Sequence, residues 1–191
     1  MGEKAEYRSA IRSRENILRA FAELLSEKGS VKIKINELVK RADVNRSTFY
    51  AHYRNIYDVL NEIENEIIGK LFSFLDSFSH VDLLYNPIPF ILKIGAELEK
   101  NRTFYRLLIE TEGSINFLNR LKDIFIQKIL ADKKAYSKIK KPKEFIVCMN
   151  LLAGGAAGLI CDWTTGKIDM PMRDIANIIN DISMTSMKKY L

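Results

Sequence analysis

The sequence predicts an all-α protein with about nine helices. Apolar residues recur at spacings of three, four and seven along most of the chain, as they do on one face of a helix. No segment alternates polar and apolar residues for long enough to predict a strand, and the nearest candidate, VKIKI at 31–35, is short. Of the 191 residues, 47% are hydrophobic and 28% are charged, which is typical of a folded globular protein.

The first three predicted helices have the spacing of a helix-turn-helix. Residues 9–28 carry one apolar stripe, and the pair Gly29-Ser30 is expected to end that helix. Two short helices follow at 35–42 and at about 46–52, separated by Asp43-Val44-Asn45. Two short helices joined by a three-residue turn behind a supporting helix form this motif. The turn requires a left-handed residue, and aspartate tolerates that conformation better than most.

Turn and capping residues separate the later helices. Asn55 is expected to cap a long fourth helix, and Asn101 is expected to cap another. The segment NPIP at 86–89 breaks one helix, and a lysine-rich connector at 132–143 precedes the last two. These predicted helices cover about 56–78, 90–100, the residues after Asn101, 115–131, 144–165 and 172–190.

Positive charge is concentrated around the predicted motif. The net charge is +6 at pH 7, and residues 32–54 hold six basic residues against Glu37 and Asp43, a local charge of +4. A concentrated basic surface is typical of proteins that bind phosphate groups. A solvated face without a partner is the alternative interpretation of the charge alone.

No motif in the sequence indicates catalysis, a cofactor or a metal. A glycine-rich phosphate loop, a G-x-S-x-G elbow and a paired-carboxylate motif are all missing. Cys148 and Cys161 stand on one predicted helix about 20 Å apart, which excludes a shared metal within one chain. Two cysteines and a charged N-terminus without an apolar signal segment fit a cytoplasmic protein. We therefore expect no enzyme, no cofactor and no metal.

The outer side of the third helix carries side chains suited to DNA. Arg46 can donate two hydrogen bonds to guanine, and the methyl group of Thr48 can contact that of thymine. Tyr50, His52 and Arg54 are suited to phosphate oxygens. The predicted DNA-contacting residues are Lys34, Asn36, Arg46, Ser47, Thr48, Tyr50, His52, Tyr53 and Arg54.

The inner side of the same helix is expected to pack within the protein. Phe49 and Tyr53 are expected to anchor it to the first and fourth helices. Val44 is expected to fill the space between the two helices of the motif. One side of the helix therefore packs, and the other is free to enter a groove of DNA.

The run IKINELVKRADVNRSTFYAHYRNIYDVL at 33–60 resembles the DNA-binding domain of the TetR family of bacterial regulators. The resemblance extends from about residue 9 to 69, and the hydrophobic spacing, the turn and the TFY-x-H-Y cluster occur in register. It implies a helix-turn-helix domain at 9–69, with the motif at about 35–52. It also implies a helical domain at 70–191 that binds an effector and dimerises.

The same resemblance implies a homodimer whose two recognition helices lie in successive major grooves of double-stranded operator DNA. The residues at family DNA-contacting positions are Ser47, Thr48, Tyr50 and His52. Three residues depart from the family pattern. Lys34 replaces a common capping threonine, Ile56 replaces a common lysine, and Asp43 replaces the usual turn glycine. The first two departures put one phosphate contact each in question.

The segment FIVCMNLLAGGAAGLIC at 145–161 is strongly apolar and has three interpretations. With seventeen residues and a G-x-x-x-G pattern it approaches the length of a membrane span, but Glu144 and Asp162 bracket it. A buried core helix and the seam of a dimer are the alternatives. Because palindromic DNA sites require two-fold symmetry, we favour a homodimer through about 144–165 and 172–190, without a membrane.

Six lysines occupy the connector at 133–143. A solvated, mobile loop is the favoured interpretation, because charge runs are usually solvated. A second contact with nucleic acid is the alternative interpretation of this run.

Aromatic residues are numerous after residue 70. Some are expected to line a pocket for a small apolar or aromatic effector, although core packing is the favoured role of any single one. The predicted function is a sequence-specific DNA-binding transcriptional regulator, a repressor that an effector releases from a palindromic operator. The alternative is a helical dimeric interaction module that binds a protein partner and has no effector.

Overall fold

Eleven helices and no strand are found in the residues that the computed structural model describes, 2–28, 32–110 and 114–191. The helices are α1 Gly2–Lys28, α2 Ile35–Arg41, α3 Arg46–His52, α4 Ile56–Asp76, α5 His80–Tyr85, α6 Ile88–Lys100, α7 Arg102–Ile109, α8 Ser114–Ala131, α9 Lys133–Tyr136, α10 Pro142–Thr165 and α11 Met172–Met187. The predicted all-α fold is confirmed. Gly29-Ser30, expected to end α1, lies outside the described residues.

Two of the predicted helix caps are present as hydrogen bonds. The side-chain oxygen of Asn55 accepts from the backbone N–H of Asp58 at 3.1 Å, at the start of α4. The side-chain oxygen of Asn101 accepts from the backbone N–H of Phe104 at 3.3 Å, at the start of α7. Asparagine at these positions satisfies an N–H group that has no partner inside the helix.

Two short helices, α5 and α9, were not among the predicted ones, and both depend on a side-chain cap. Ser79 accepts a hydrogen bond from the first turn of α5 at 3.3 Å. Asp132 accepts from the backbone N–H groups of Lys134 at 2.8 Å and Ala135 at 3.0 Å. The bond from Ala135 is the main reason why the pKa of the Asp132 carboxyl lies below its usual value. Part of the predicted connector at 132–143 is therefore helical.

The chain divides into two compact units, Met1–Ile67 and Ile68–Leu191. In the first unit, α1, α2, α3 and the first part of α4 enclose an apolar core. The fully buried side chains of this core are Ile17, Phe21, Leu25, Leu38, Phe49 and Val59. Short helices such as α2 and α3 depend on this packing, because seven residues make few hydrogen bonds of their own.

The second unit contains two apolar clusters. The larger includes Leu75, Phe90, Ile129 and Phe145, and the smaller is formed around Trp163. The indole N–H of Trp163 donates to the backbone oxygen of Met170 at 3.0 Å. Arg102 lies over the Trp163 ring at 4.7 Å and donates from Nε to the backbone oxygen of Thr164 at 3.1 Å. Its guanidinium thus satisfies carbonyl groups at the end of α10 and connects α7 to that end.

Helix α10 is apolar and largely uncovered in the single chain. An 18-residue window has a mean hydropathy of 1.8, and 11% of it is buried. By length and composition it is the one helix among the described residues that could cross a membrane. Val147 is 72% exposed and Leu151 is 76% exposed. The interpretation of this segment as a buried core helix of one chain is therefore wrong.

Candidate nucleic-acid interface

The turn between α2 and α3 depends on Asp43. Its φ is 53°, and it is the one non-glycine residue with a positive φ in the described part of the chain. The backbone N–H of Val44 donates to the oxygen of Val39 at 3.0 Å, which closes the turn. The predicted left-handed conformation of Asp43 is confirmed. It directs the chain from the end of α2 into α3 within three residues.

We expect Asp43→Gly to stabilise the first unit by about 0.5–1 kcal/mol, because glycine adopts this conformation without strain. Asp43→Val is expected to destabilise it by about 1–3 kcal/mol, since a β-branched residue is strained at positive φ. Denaturant unfolding of the three proteins measures both differences. Equal stability of the glycine and valine variants would contradict the assigned conformation.

The start of α3 is organised by one oxygen atom, Oδ1 of Asn45. It accepts from the backbone N–H of Thr48 at 2.7 Å, from the hydroxyl of Thr48 at 2.9 Å and from the hydroxyl of Ser47 at 2.6 Å. Asn45 is thus the N-cap of α3 and also orients the two hydroxyl groups. This role was not predicted from the sequence, although asparagine directly after a turn is a recognised capping signal.

Arg46, Asn36 and Tyr50 form a cluster on the exposed side of α3. Arg46 donates to the side-chain oxygen of Asn36 at 2.9 Å and to the hydroxyl of Tyr50 at 3.4 Å. Its guanidinium also lies 6.0 Å from the centre of the Tyr50 ring. All three side chains are exposed. These contacts restrict the rotamers of Arg46, so part of the entropy lost on binding is already absent in the free protein.

His52 and Arg54 lie at the other end of α3. The Nε2 atom of His52 is 2.9 Å from the hydroxyl oxygen of Ser13 in α1, and its ring is half-buried. Arg54 is exposed, with Nε 3.6 Å from a carboxylate oxygen of Asp58. That same carboxylate oxygen accepts from the backbone N–H of Arg54 at 2.8 Å. The end of α3 is therefore connected to both α1 and the start of α4.

The inner side of α3 consists of Phe49 and Tyr53, which are 0% and 4% exposed. Their rings lie 5.8 Å apart. Burial, followed by the neighbouring Glu62 carboxyl, raises the pKa of the Tyr53 phenol above its usual value. The expectation that both residues anchor α3 is consistent with this burial. Tyr53, which also belongs to the predicted DNA-contacting set, does not share the exposed surface of Arg46 and Tyr50.

The local positive charge of the motif is partly neutralised within the first unit. Arg41 donates to the Glu27 carboxylate at 2.7 and 2.8 Å and approaches Glu23 at 3.4 Å. The Glu27 carboxylate is the main cause of the raised pKa of Arg41. The predicted +4 therefore overstates the charge that this part of the chain offers to a ligand.

Lys34 is exposed at the N-cap position of α2 and has no side-chain capping bond. Glu37 replaces that bond in part, because its carboxylate accepts from the backbone N–H of Lys34 at 3.2 Å. Lys28 donates to the same carboxylate at 2.6 Å. The Lys28 ammonium and the Lys34 N–H lower the pKa of Glu37. The start of α2 is thus stabilised, and the ammonium of Lys34 remains exposed.

A polar cleft of about 740 Å³ lies beside the end of α3, between α1 and α4. Its walls include His52 and Arg54 but also the carboxyl groups of Asp58, Glu62 and Glu66. These carboxyl groups are paired within the unit, Glu62 and Glu66 with Arg14 and Asp58 with Arg54, so they leave little unpaired negative charge in the cleft.

The described segments contain no cluster of metal-ligating side chains. No group of three or more histidine, cysteine or acidic residues in them could hold a metal ion. Burial raises the pKa of the Cys161 thiol to about 11, which favours the unreactive protonated form. Neither cysteine forms a disulfide.

In α3, one side is anchored by buried aromatic side chains and the other is exposed, and a three-residue turn with a left-handed aspartate precedes it. This arrangement defines the class of helix-turn-helix DNA-binding proteins. Family sequence profiles agree. The profile of bacterial regulatory proteins of the tetR family matches residues 17–63, and a TetR-type profile of a transcriptional regulator C-terminal region matches residues 85–185. The chain belongs to the TetR family of bacterial transcriptional regulators, as the resemblance at 33–60 predicted.

Individual relatives are more distant. YxbF, an HTH-type transcriptional regulator of Bacillus subtilis (strain 168), is 29% identical over 119 residues, which are 62% of this chain and 29% of that protein. The match therefore spans less than a third of YxbF.

Two solved structures of similar proteins share the fold. DhaS, the dihydroxyacetone kinase operon activator, has a TM-score of 0.69 at 16% identity, covering 93% of this chain and 97% of its own. NalD of Pseudomonas aeruginosa, the secondary repressor of the MexAB-OprM multidrug efflux pump, has a TM-score of 0.68 at 21% identity, covering 93% and 96%. At these identities the superpositions establish the common fold alone.

Proposed function

We propose that this regulator is a homodimeric repressor that binds a palindromic operator through two copies of α3. The observation that carries the proposal is the division of α3 into two sides. Phe49 is fully buried, whereas Arg46, Ser47 and Tyr50 are exposed. A helix anchored on one side and polar on the other is suited to enter the major groove.

Within α3, we assign base recognition to Arg46, Ser47 and Thr48, because arginine and hydroxyl groups can bond to base edges. The phosphate-contacting residues proposed are Lys34, Tyr50, His52 and Arg54. We assign Asn36 the role of holding Arg46, given the 2.9 Å hydrogen bond between them. Tyr53 is left out of the contact set because of its burial.

We propose that the dimer forms through α10 and α11. The two helices pack against each other and leave apolar side chains uncovered, including Val147 and Leu151 on α10 and Ile178 and Ile182 on α11. Gly155 and Gly158 on α10 would meet no other atom within 4 Å if they carried a Cβ, so a second helix could approach closely there. An uncovered apolar face of this kind is typical of a homodimer interface.

We further propose that residues 9–69 bind DNA and residues 70–191 bind an effector and dimerise, in a cytoplasmic protein without catalytic activity. The two apolar clusters of the second unit contain aromatic rings, which suit a small apolar or aromatic effector. The effector would favour a dimer whose recognition helices are not spaced for one turn of DNA.

The decisive experiment is selection of bound duplexes from a random DNA pool by the purified protein. We expect a two-fold symmetric consensus. Arg46→Ala should lower affinity for that consensus by about 1–3 kcal/mol per half-site if it contacts guanine, and should relax the preference at one base pair. The double variant Arg46→Ala with Tyr50→Phe should bind more weakly still.

A matched control is available for this substitution. Arg19 is also an exposed arginine that donates to an asparagine oxygen at 2.9 Å, but it lies on α1. Arg19→Ala should therefore leave the consensus and the affinity unchanged. If the double variant keeps its affinity within twofold, the assignment of Arg46 and Tyr50 is wrong.

The second candidate function is a dimeric interaction module with a protein partner. The salt dependence of binding distinguishes it from the first. Binding through about six phosphate contacts should weaken by orders of magnitude between about 50 and 200 mM salt. A protein interface should change much less. Enrichment of no sequence in the selection would favour the interaction module.

A further inference from the structure

The lysine-rich segment between α8 and α10 is held in place by packing. Asp132 caps α9, and its second carboxylate oxygen lies 3.0 Å from Nδ1 of His80 in α5. Ala135 is fully buried, and Ile139 is buried in the larger apolar cluster of the second unit. The lysines of this segment are therefore displayed from an ordered backbone, in contrast to the mobile loop favoured from sequence.

The C-terminal end of the chain meets this segment. The backbone N–H of Lys140 donates to the backbone oxygen of Tyr190 at 2.8 Å. Met187 and Tyr190 belong to the same apolar cluster as Ile139. The two segments that meet here, 133–143 and 188–189, carry eight exposed lysines, and we term this group the lysine surface. Its members are Lys133, Lys134, Lys138, Lys140, Lys141, Lys143, Lys188 and Lys189.

In the residues that the structure describes, no ion pair neutralises the charge of the lysine surface. In the described part of the chain, none of the eight ammonium groups forms an ion pair, although Lys28, Lys70, Lys100, Lys128 and Lys167 do. The chain has 30 basic residues against 24 acidic ones, so without these eight lysines the count would be 22 against 24. The net positive charge of the whole protein therefore depends on this surface.

We propose that the lysine surface is a second, sequence-independent phosphate-binding site whose partner is duplex DNA. Three observations favour this partner. The surface contains lysine and no arginine, and lysine is depleted at protein–protein interfaces, where arginine is enriched. Within residues 133–143, Tyr136 is the one large apolar side chain that is exposed and could enter a lipid bilayer. DNA is also the polyanion that a TetR-family protein binds through its helix-turn-helix domain.

This site acts independently of α3 and of the operator sequence. It would strengthen non-specific association and retain the protein near its operator, because non-specific DNA binding consists almost entirely of phosphate contacts. Its removal should therefore lower affinity for all sequences by the same factor and leave the ratio of operator to non-operator affinity unchanged.

The test uses the full-length protein and a mixed-sequence duplex without the selected operator. Four lysines of the surface, Lys133, Lys134, Lys138 and Lys141, are changed together to glutamine. The slope of log affinity against log salt should become shallower by about 3–4, since each phosphate contact contributes about 0.9. Over a fourfold change in salt this difference corresponds to about a hundredfold in affinity.

Two controls keep the outcome specific. The same four positions changed to arginine preserve charge and should retain the wild-type slope. The Arg46→Ala, Tyr50→Phe variant should lose operator preference but keep the part of mixed-sequence binding that the glutamine variant lacks. The two variants thus distinguish the contribution of the lysine surface from that of the recognition helix. Either proposal can therefore fail while the other holds.

An unchanged salt slope in the glutamine variant would overturn the proposal, provided that its thermal unfolding matches that of the arginine variant. Vesicles containing phosphatidylglycerol provide the remaining comparison. If wild-type protein binds these vesicles through the four lysines and mixed-sequence duplex binding does not depend on them, the partner is an anionic membrane and the DNA proposal is wrong.

Discussion

Replacing Gly155 and Gly158 together by leucine is expected to convert the proposed dimer into a folded monomer. A Cβ at either position would meet no side chain and no other element within 4 Å, and both glycines are exposed, so we expect the single chain to accommodate leucine there. Both positions also gain helix propensity, by roughly 1 kcal/mol each for removing glycine from a helix. A second copy, however, could no longer approach the α10 backbone closely.

The loss of the dimer should be visible both in mass and in DNA binding. Sedimentation without detergent should show the monomer mass, and the helical circular dichroism should be retained. Affinity for the palindromic operator should fall by about a hundredfold or more, because two linked recognition helices bind far more tightly than one.

Gly69→Leu on α4 is the matched control, since its added Cβ also meets nothing within 4 Å. This variant should remain dimeric and bind the operator normally. A dimer that persists in the double α10 variant would exclude this interface. Wild-type protein that stays in solution only with detergent would instead support the membrane interpretation of α10.

Phe49→Ala should remove about 3–5 kcal/mol from the stability of the first unit, the usual range for a fully buried phenylalanine. Phe49 is 0% exposed, and its ring lies 5.4 Å from that of Tyr50 and 5.8 Å from that of Tyr53. Without it, α3 loses its one fully buried side chain. DNA binding should be lost because the recognition helix is no longer formed.

The single tryptophan allows the unfolding of the second unit to be followed separately from that of the first. Trp163 is the one tryptophan in the chain and lies in the second unit. Its fluorescence should report an unfolding transition close to that of the wild type, while amide exchange in the first unit becomes fast. Phe49→Leu should cost less, since it leaves a smaller cavity. If the Trp163 transition shifted by as much as the stability of the first unit falls, the two units would unfold as one.

Local signals in the sequence predicted the turn of the motif and several helix starts well. The left-handed Asp43, the caps at Asn55 and Asn101, and the third helix at 46–52 all depend on contacts within a few residues. These interactions are short-range, so residue type and order are enough to predict them.

Interactions between distant residues were the ones that the sequence did not reveal. Arg41 forms an ion pair with Glu27, which is 14 residues earlier in the chain. A count of charges along the sequence cannot include that pairing. The segment around α9 looks like a loop by composition, yet Ile139 packs into a core built from other helices. Periodicity likewise marked α10 as apolar, but whether the apolar face lies inside the chain depends on its neighbours.

If Ser47 and Thr48 contact bases as proposed, their hydrogen bonds to Asn45 limit the bases that they can prefer. A hydroxyl group has one hydrogen to donate, and both Ser47 and Thr48 donate theirs to the same asparagine oxygen. Their remaining lone pairs make them acceptors toward solvent. In that state they complement the amino groups of adenine and cytosine in the major groove, and they are poorly matched to the acceptor edge of guanine. The residue that caps α3 would thereby also determine that these two hydroxyl groups accept hydrogen bonds from bases and do not donate them.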